Sequence, residues 1–216
     1  MPLVAKETGN GKDFDPVPEG VHIGVCYLVA DLGTHHDERW NKDKHEVVIG
    51  WEIPTERIEI ERDGQTVDLP RAISRRFTLS LSERANLRPI LEGWRGRSFT
   101  ADELAGFDLA NVVGKACQLQ VLHNVSQSNG KTYGNVANVM AMPKGAPAPE
   151  TENAPQYYSI DEHGAAIPEN LPEWIVEVIH KSHEWGELTG GNGAAAPADE
   201  PAPDFSSDVG WDDLPF

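Results

Sequence analysis

Between Val21 and Met142 the chain repeats one device: a short run of alternating apolar and polar side chains, closed by Gly, Pro, Asn or Asp. Alternation sends successive side chains to opposite faces of a strand, so each run buries one face and wets the other. VHIGVCYLVAD (Val21 to Asp31) opens the series, and Gly24 inside it marks a bend or a close backbone approach. HEVVIGWEIP alternates Val47, Ile49, Trp51 and Ile53 and closes at Pro54. RIEIERDGQTVDLP reads as two short extended pieces around Asp63-Gly64, a pair that accepts positive φ. RAISRRFTLSL places Ile73, Arg75, Phe77, Leu79 and Leu81 on one face, with Phe77, Leu79 and Leu81 marking the core side. KACQLQVLH and KTYGNVANVMAM, joined by a loop ending in Asn129-Gly130, complete the set.

A single helical stretch interrupts these strands. Ser82 reads as an N-cap before ERANLRPILEGW, where Leu87, Ile90, Leu91 and Trp94 fall at helical spacing and Gly96 ends the run. Thr100 followed by Glu103 is a capping box for a second short helix. A doubly wound sheet would need a helix after every strand, so the expected fold is mainly β: an OB-like Greek-key barrel of five to six strands with a helical insertion.

The organisation predicted around it is a loose arm at 1–19, the barrel at 20–144, a linker at 145–167, an amphipathic helix at 168–188 and a disordered acidic tail at 189–216. In the helix, Trp174, Ile175, Val178, Ile179 and Trp185 form a narrow apolar stripe that must dock on the barrel or on a partner. Cys26 and Cys117 lie in apolar runs without metal spacing and read as buried thiols. With no apolar leader and no membrane-length apolar run, the expected location is cytoplasmic.

A net charge of −17 argues against nucleic acid until it is divided. Residues 1–145 carry 17 Lys or Arg against 20 Asp or Glu, while 146–216 carry 1 against 15. The barrel is therefore close to neutral, and the acid belongs to the C-terminal third.

No phosphate-binding loop, nucleophile elbow or zinc-protease motif occurs. Asp102-Glu103 reads as a first-turn carboxylate pair, and His35-His36-Asp37 as solvated loop residues rather than a metal site. An enzyme is not expected, nor a cofactor. Binding of unpaired nucleic acid needs cations for phosphates and aromatic faces for bases. The candidates are Arg71, Arg75 and Arg76 on one strand; Arg95 and Arg97 after Trp94; Lys131 and Tyr133 opening the last strand; and Trp40 with Lys42 and Lys44 on the first long loop. Trp94 continues the helical stripe and reads as core; Trp40 and Tyr133 fit exposure and burial equally well.

The sequence ends in Trp211, Asp212, Asp213, Leu214, Pro215 and Phe216. WDDLPF resembles the acidic C-terminal tip of bacterial single-stranded DNA-binding proteins, and FTLSLSERANLRPILEGWRGRSFT and LPEWIVEVIHKSHEW resemble segments of bacteriophage single-stranded DNA-binding proteins. The resemblance implies an OB-fold, sequence-nonspecific binding of single-stranded DNA in phage replication or recombination, and a tip whose terminal Phe enters an apolar pocket on a replication protein. A segment of about 26 residues with this composition spans about 25–30 Å, enough for the tail to compete with DNA on its own barrel. Duplex binding and self-association stay open. The alternatives are an acidic DNA-mimic that inhibits a protein partner and, behind it, a Mg-dependent nuclease.

Overall fold

The computed structural model describes residues 15–62, 64–127 and 129–190; the tail tip, Trp211 to Phe216, lies outside the described residues. Strands β1 (Gly20–Asp37), β2 (Lys42–Arg62) and β3 (Gln65–Thr78) form an antiparallel meander, and β4 (Ala116–Val125) and β5 (Thr132–Met140) a hairpin. The sheet order is β3-β2-β1-β4-β5. β1 joins the two parts: Gly20–Val25 pairs with β4 and Val25–Asp37 with β2. Sharing one strand in this way, with register shifts between Cys26 and Leu28 and between Asp31 and Gly33, curls the sheet into a half-barrel. Gly24 stands in the shared stretch, where a Cβ would fall 2.6 Å from Leu119 Cδ1, so the close approach expected of it is present. The outer edges, β3 and β5, approach each other without a ladder between them. Across that seam Arg75 Nη1 donates to Val136 O at 2.7 Å and Ala137 O at 3.3 Å.

The strands are longer than the punctuation predicts. β2 runs through Pro54 because the register jumps between Ile53 and Arg57, and a residue without an N–H needs no ladder partner in a bulge. Leu79, assigned to the core side, is 42% exposed, since β3 ends at Thr78 and the alternation ends with it.

Helix α1 (Leu87–Arg95) buries Leu87, Ile90, Leu91 and Trp94 against the barrel interior, beside Trp51, Phe77 and Leu119. Its N-cap is Asn86, not Ser82, which places Pro89 in the first turn, where a missing N–H costs no intrahelical bond. Gly96, at φ 68°, closes it. Trp94 is core as its spacing predicts: its ring lies 5.9 Å from that of Trp51, and its Nε1 donates to Ala116 O at 3.1 Å. Gly93 lets the helix touch β5, because a Cβ there would sit 2.5 Å from Val139 O. The Thr100–Glu103 capping box opens α2 (Ala101–Ala105) as expected.

The segment 145–167, expected as a linker, contains β6 (Gln156–Tyr158) and α3 (Ile160–His163). The single helix expected over 168–188 is two, α4 (Glu173–Ile179) and α5 (His183–Leu188), separated at Ser182, whose Oγ accepts from Trp185 N at 3.2 Å. β6 runs parallel to β1 at Leu28–Ala30, and a second core forms on the outer face of the barrel from Leu28, Leu32, Val48, Tyr158, Ile175 and Ile179. β1 is thus covered on both faces, which is why VCYLVA is nearly continuous in apolar residues. Trp174 leaves the stripe and is 43% exposed, because a seven-residue helix turns only a narrow face inward.

Buried polar groups fasten this second layer. Glu52, fully buried, accepts from Glu152 N at 2.9 Å, Asn153 N at 2.8 Å and Asn153 Nδ2 at 2.6 Å. Asp31 accepts from Gly33 N and Ile160 N, and one of its oxygens lies 2.7 Å from His45 Nε2. Glu184 accepts from Thr34 N at 2.7 Å and Thr34 Oγ1 at 2.5 Å. Burial pushes the Asp31 carboxyl up, but the His45 hydrogen bond and the backbone donors outweigh it and hold the group below its ordinary value; the Asp31 hydrogen bond in turn raises His45. Both cysteines are buried, and burial pushes the Cys26 thiol up to about 12. Among the described residues no helix is long and apolar enough to cross a membrane.

Candidate nucleic-acid interface

The ten described candidates separate into three situations. The first is the tip of the β1–β2 hairpin. Asp37 Oδ1 accepts from Arg39 N at 3.0 Å and Trp40 N at 3.3 Å, Asn41 adopts φ 48°, and Lys44 Nζ meets Asp37 Oδ2 at 2.6 Å. This turn leaves Trp40 56% exposed, with the Arg39 guanidinium 5.5 Å from its ring centre and Lys42 exposed beside it. Lys44 is occupied with holding the turn. The neighbouring histidines diverge: His35 Nε2 lies 2.8 Å from Leu32 O, and His36 Nδ1 lies 2.7 Å from Asp43, whose hydrogen bond raises the imidazole.

The second is the mouth of the seam, at the opposite end of the barrel. Register fixes this opposition: β1 carries the hairpin tip at its C-terminal end, while its N-terminal Gly20 lies beside Val121, from which β4 runs on to the β4–β5 loop. Here a groove of about 450 Å³ lies among Asp15, Val17, Ile73, Lys131, Tyr133 and Gly134. Arg71 stands at its edge, donating through Nη1 to Asp15 O. Asn129 organises the loop: its Oδ1 accepts from Lys131 N at 3.0 Å and its Nδ2 donates to Tyr133 Oη at 2.9 Å. The wall at 15–17 is firmly held, with Val17 buried and its carbonyl 2.8 Å from His123 Nε2. Residues 15–17 were missed in the sequence, where they read as part of a loose arm; the one available signal was the apolar Val17 between two prolines.

In the third situation the cations serve the fold. Arg75 bridges the seam, with its guanidinium 5.0 Å from the Phe77 ring centre, and Arg76 meets Glu46 at 3.3 Å on the outer face. Arg95 and Arg97 both bind Glu103, and the Arg95 guanidinium lies 4.3 Å from the Phe99 ring centre and 5.1 Å from that of Phe107. The Arg97 hydrogen bond, then the Thr100 amide, bring Glu103 down to about 2. The sequence clusters Arg71, Arg75 and Arg76 together, and Arg95 with Arg97. In the first cluster, alternation turns Arg76 to the other face and the seam carbonyls engage Arg75; in the second, Glu103 is shared by both guanidinium groups.

A smaller cavity of about 180 Å³ beneath Leu79 and Tyr157 holds Asp31 and Asp108 and no lysine or arginine, so its electrostatics oppose a phosphate. Among the described residues no cluster of His, Cys, Asp and Glu converges as a metal site. The chain matches no family model, no curated protein and no solved structure.

Proposed function

We propose that this protein binds single-stranded DNA without sequence preference, in phage replication or recombination, and that its acidic C-terminal tip recruits replication proteins and competes with DNA for the barrel. The observation that carries this reading is Trp40: a large aromatic ring, more than half exposed, set between Arg39 and Lys42 on a turn braced by Asp37. A core residue would not be placed there, whereas a base-stacking platform flanked by phosphate-binding cations would. The strand order β3-β2-β1-β4-β5, with β3 and β5 approaching and α1 inserted between β3 and β4, is compatible with an OB-like barrel and supports the same reading. Arg71 and Lys131 add cations at the far end of the barrel.

The test is a titration of the full chain and of residues 1–190 with single- and double-stranded oligonucleotides at two salt concentrations. Tight, salt-sensitive binding of single strands is expected, with Trp40→Ala losing about 1–3 kcal/mol, roughly 5- to 150-fold. Absence of binding by both proteins overturns the proposal in favour of a DNA-mimic, and metal-dependent cleavage overturns it in favour of a nuclease.

A further inference from the structure

We infer that the groove at the seam is a subsite for one unpaired nucleobase, stacked on Tyr133, with the adjoining phosphates met by Lys131 and Arg71. The inference rests on the single-strand binding proposed above and assigns part of it to a place. Three features of the groove point to such a ligand. Its volume, about 450 Å³, falls in the range of small-molecule sites, about 300–1,000 Å³, and Pro16, Val17 and Ile73 give its lining an apolar part. Two cations stand at its rim, Lys131 and, beside Asp15, Arg71. Its aromatic is held in place, since Asn129 bonds both the Tyr133 hydroxyl and the Lys131 amide.

Gly134 contributes by what it lacks. A Cβ at that position would lie 3.4 Å from Val17 O, 3.5 Å from Val121 Cγ1 and 3.6 Å from Pro16 Cβ, so the glycine lets the 15–17 segment pack directly on β5, on the face opposite the Tyr133 side chain. The edges of β3 and β5 that border the groove have no ladder between them, leaving a slot at the seam. A paired base enters such a slot only after it is unstacked and unpaired, so the groove discriminates against duplex. Asp15 adjoins Arg71, so the Lys131 edge is where a phosphate meets the least repulsion.

The experiment compares a thymidine oligonucleotide with an abasic oligomer of equal length and charge, on the full-length chain. Wild type should bind the abasic oligomer at least 10-fold more weakly. Tyr133→Ala should weaken thymidine binding roughly 10-fold and shrink the base-against-abasic ratio by a similar factor, while Tyr133→Phe retains both. Lys131→Ala should reduce the slope of log affinity against log salt by about one for both oligomers. An unchanged ratio in Tyr133→Ala, while Trp40→Ala still lowers it, overturns the subsite and leaves single-strand binding standing. Wild type that binds neither oligomer overturns both.

Discussion

Two residues decide more than their size implies. Gly33 holds φ 75° and has Ser182 Cβ 2.4 Å from where its own Cβ would be, so the left-handed backbone and the contact with α5 both exclude a side chain. Gly33→Ala is expected to lower stability by at least about 1–3 kcal/mol and to release α5 first, seen as faster amide exchange in His183–Leu188 ahead of the barrel. Glu52 satisfies three donors from 152–153 inside the protein. Glu52→Gln turns one acceptor into a donor facing donors, and about 1–3 kcal/mol should be lost in a denaturant titration. Neither role is visible in the sequence, where Gly33 reads as a loop glycine and Glu52 as one polar residue in an alternating strand. Both partners arrive from more than ninety residues away, and local pattern carries no information about them.

At the scale of elements, the second layer is joined to β1 by titratable groups. Asp31, His45 and Glu184 face one another, and Asp161 adds a further negative charge near His45. His45 is raised, so its contribution is complete below its ordinary value of 6.5 and is lost as pH rises through the higher folded value. Asp31 is lowered, so its contribution is complete above its ordinary 3.8 and is lost as pH falls through the lower folded value. Docking of α4 and α5 should be tightest between those limits and loosen on both sides. Hydrogen exchange across Glu173–Leu188 at several pH values checks this, and a flat profile contradicts it. The α1–α2 junction gives a contrasting prediction for DNA. Arg97 is exposed but shared with Glu103, so Arg97→Ala should leave oligonucleotide affinity within about twofold of wild type while Trp40→Ala weakens it. The apolar face of α1, the Gly96 stop and the capping box were legible because they rest on neighbours three or four residues apart. The merging of strands through Pro54 and the division of the last helix at Ser182 were not, since a bulge and a docking surface set them.

For the whole molecule, charge is the organising quantity, and the fold redistributes it. Of the net −14 carried by 146–216, residues 146–190 hold nine acids against Lys181, and residues 191–216 hold six acids. More than half of the acid of the C-terminal third therefore lies on chain that includes the layer docked outside β1. Deleting 205–216 should tighten single-strand binding, most at low salt, and abolish recruitment of a replication protein; equal affinities across a salt titration contradict self-competition. By itself the sequence determined the β class, the helical insertion, the cores of α1 and the strands, and the partition of charge, because periodicity and composition are local properties that burial reads directly. Only the tertiary structure decided which cations remain available. It committed Arg75 to the seam and Arg95 and Arg97 to Glu103, left Trp40 at a tip, and brought Asp15–Val17 to Tyr133. Those outcomes depend on which distant groups meet, and a guanidinium binds whichever carboxylate or carbonyl the fold carries to it.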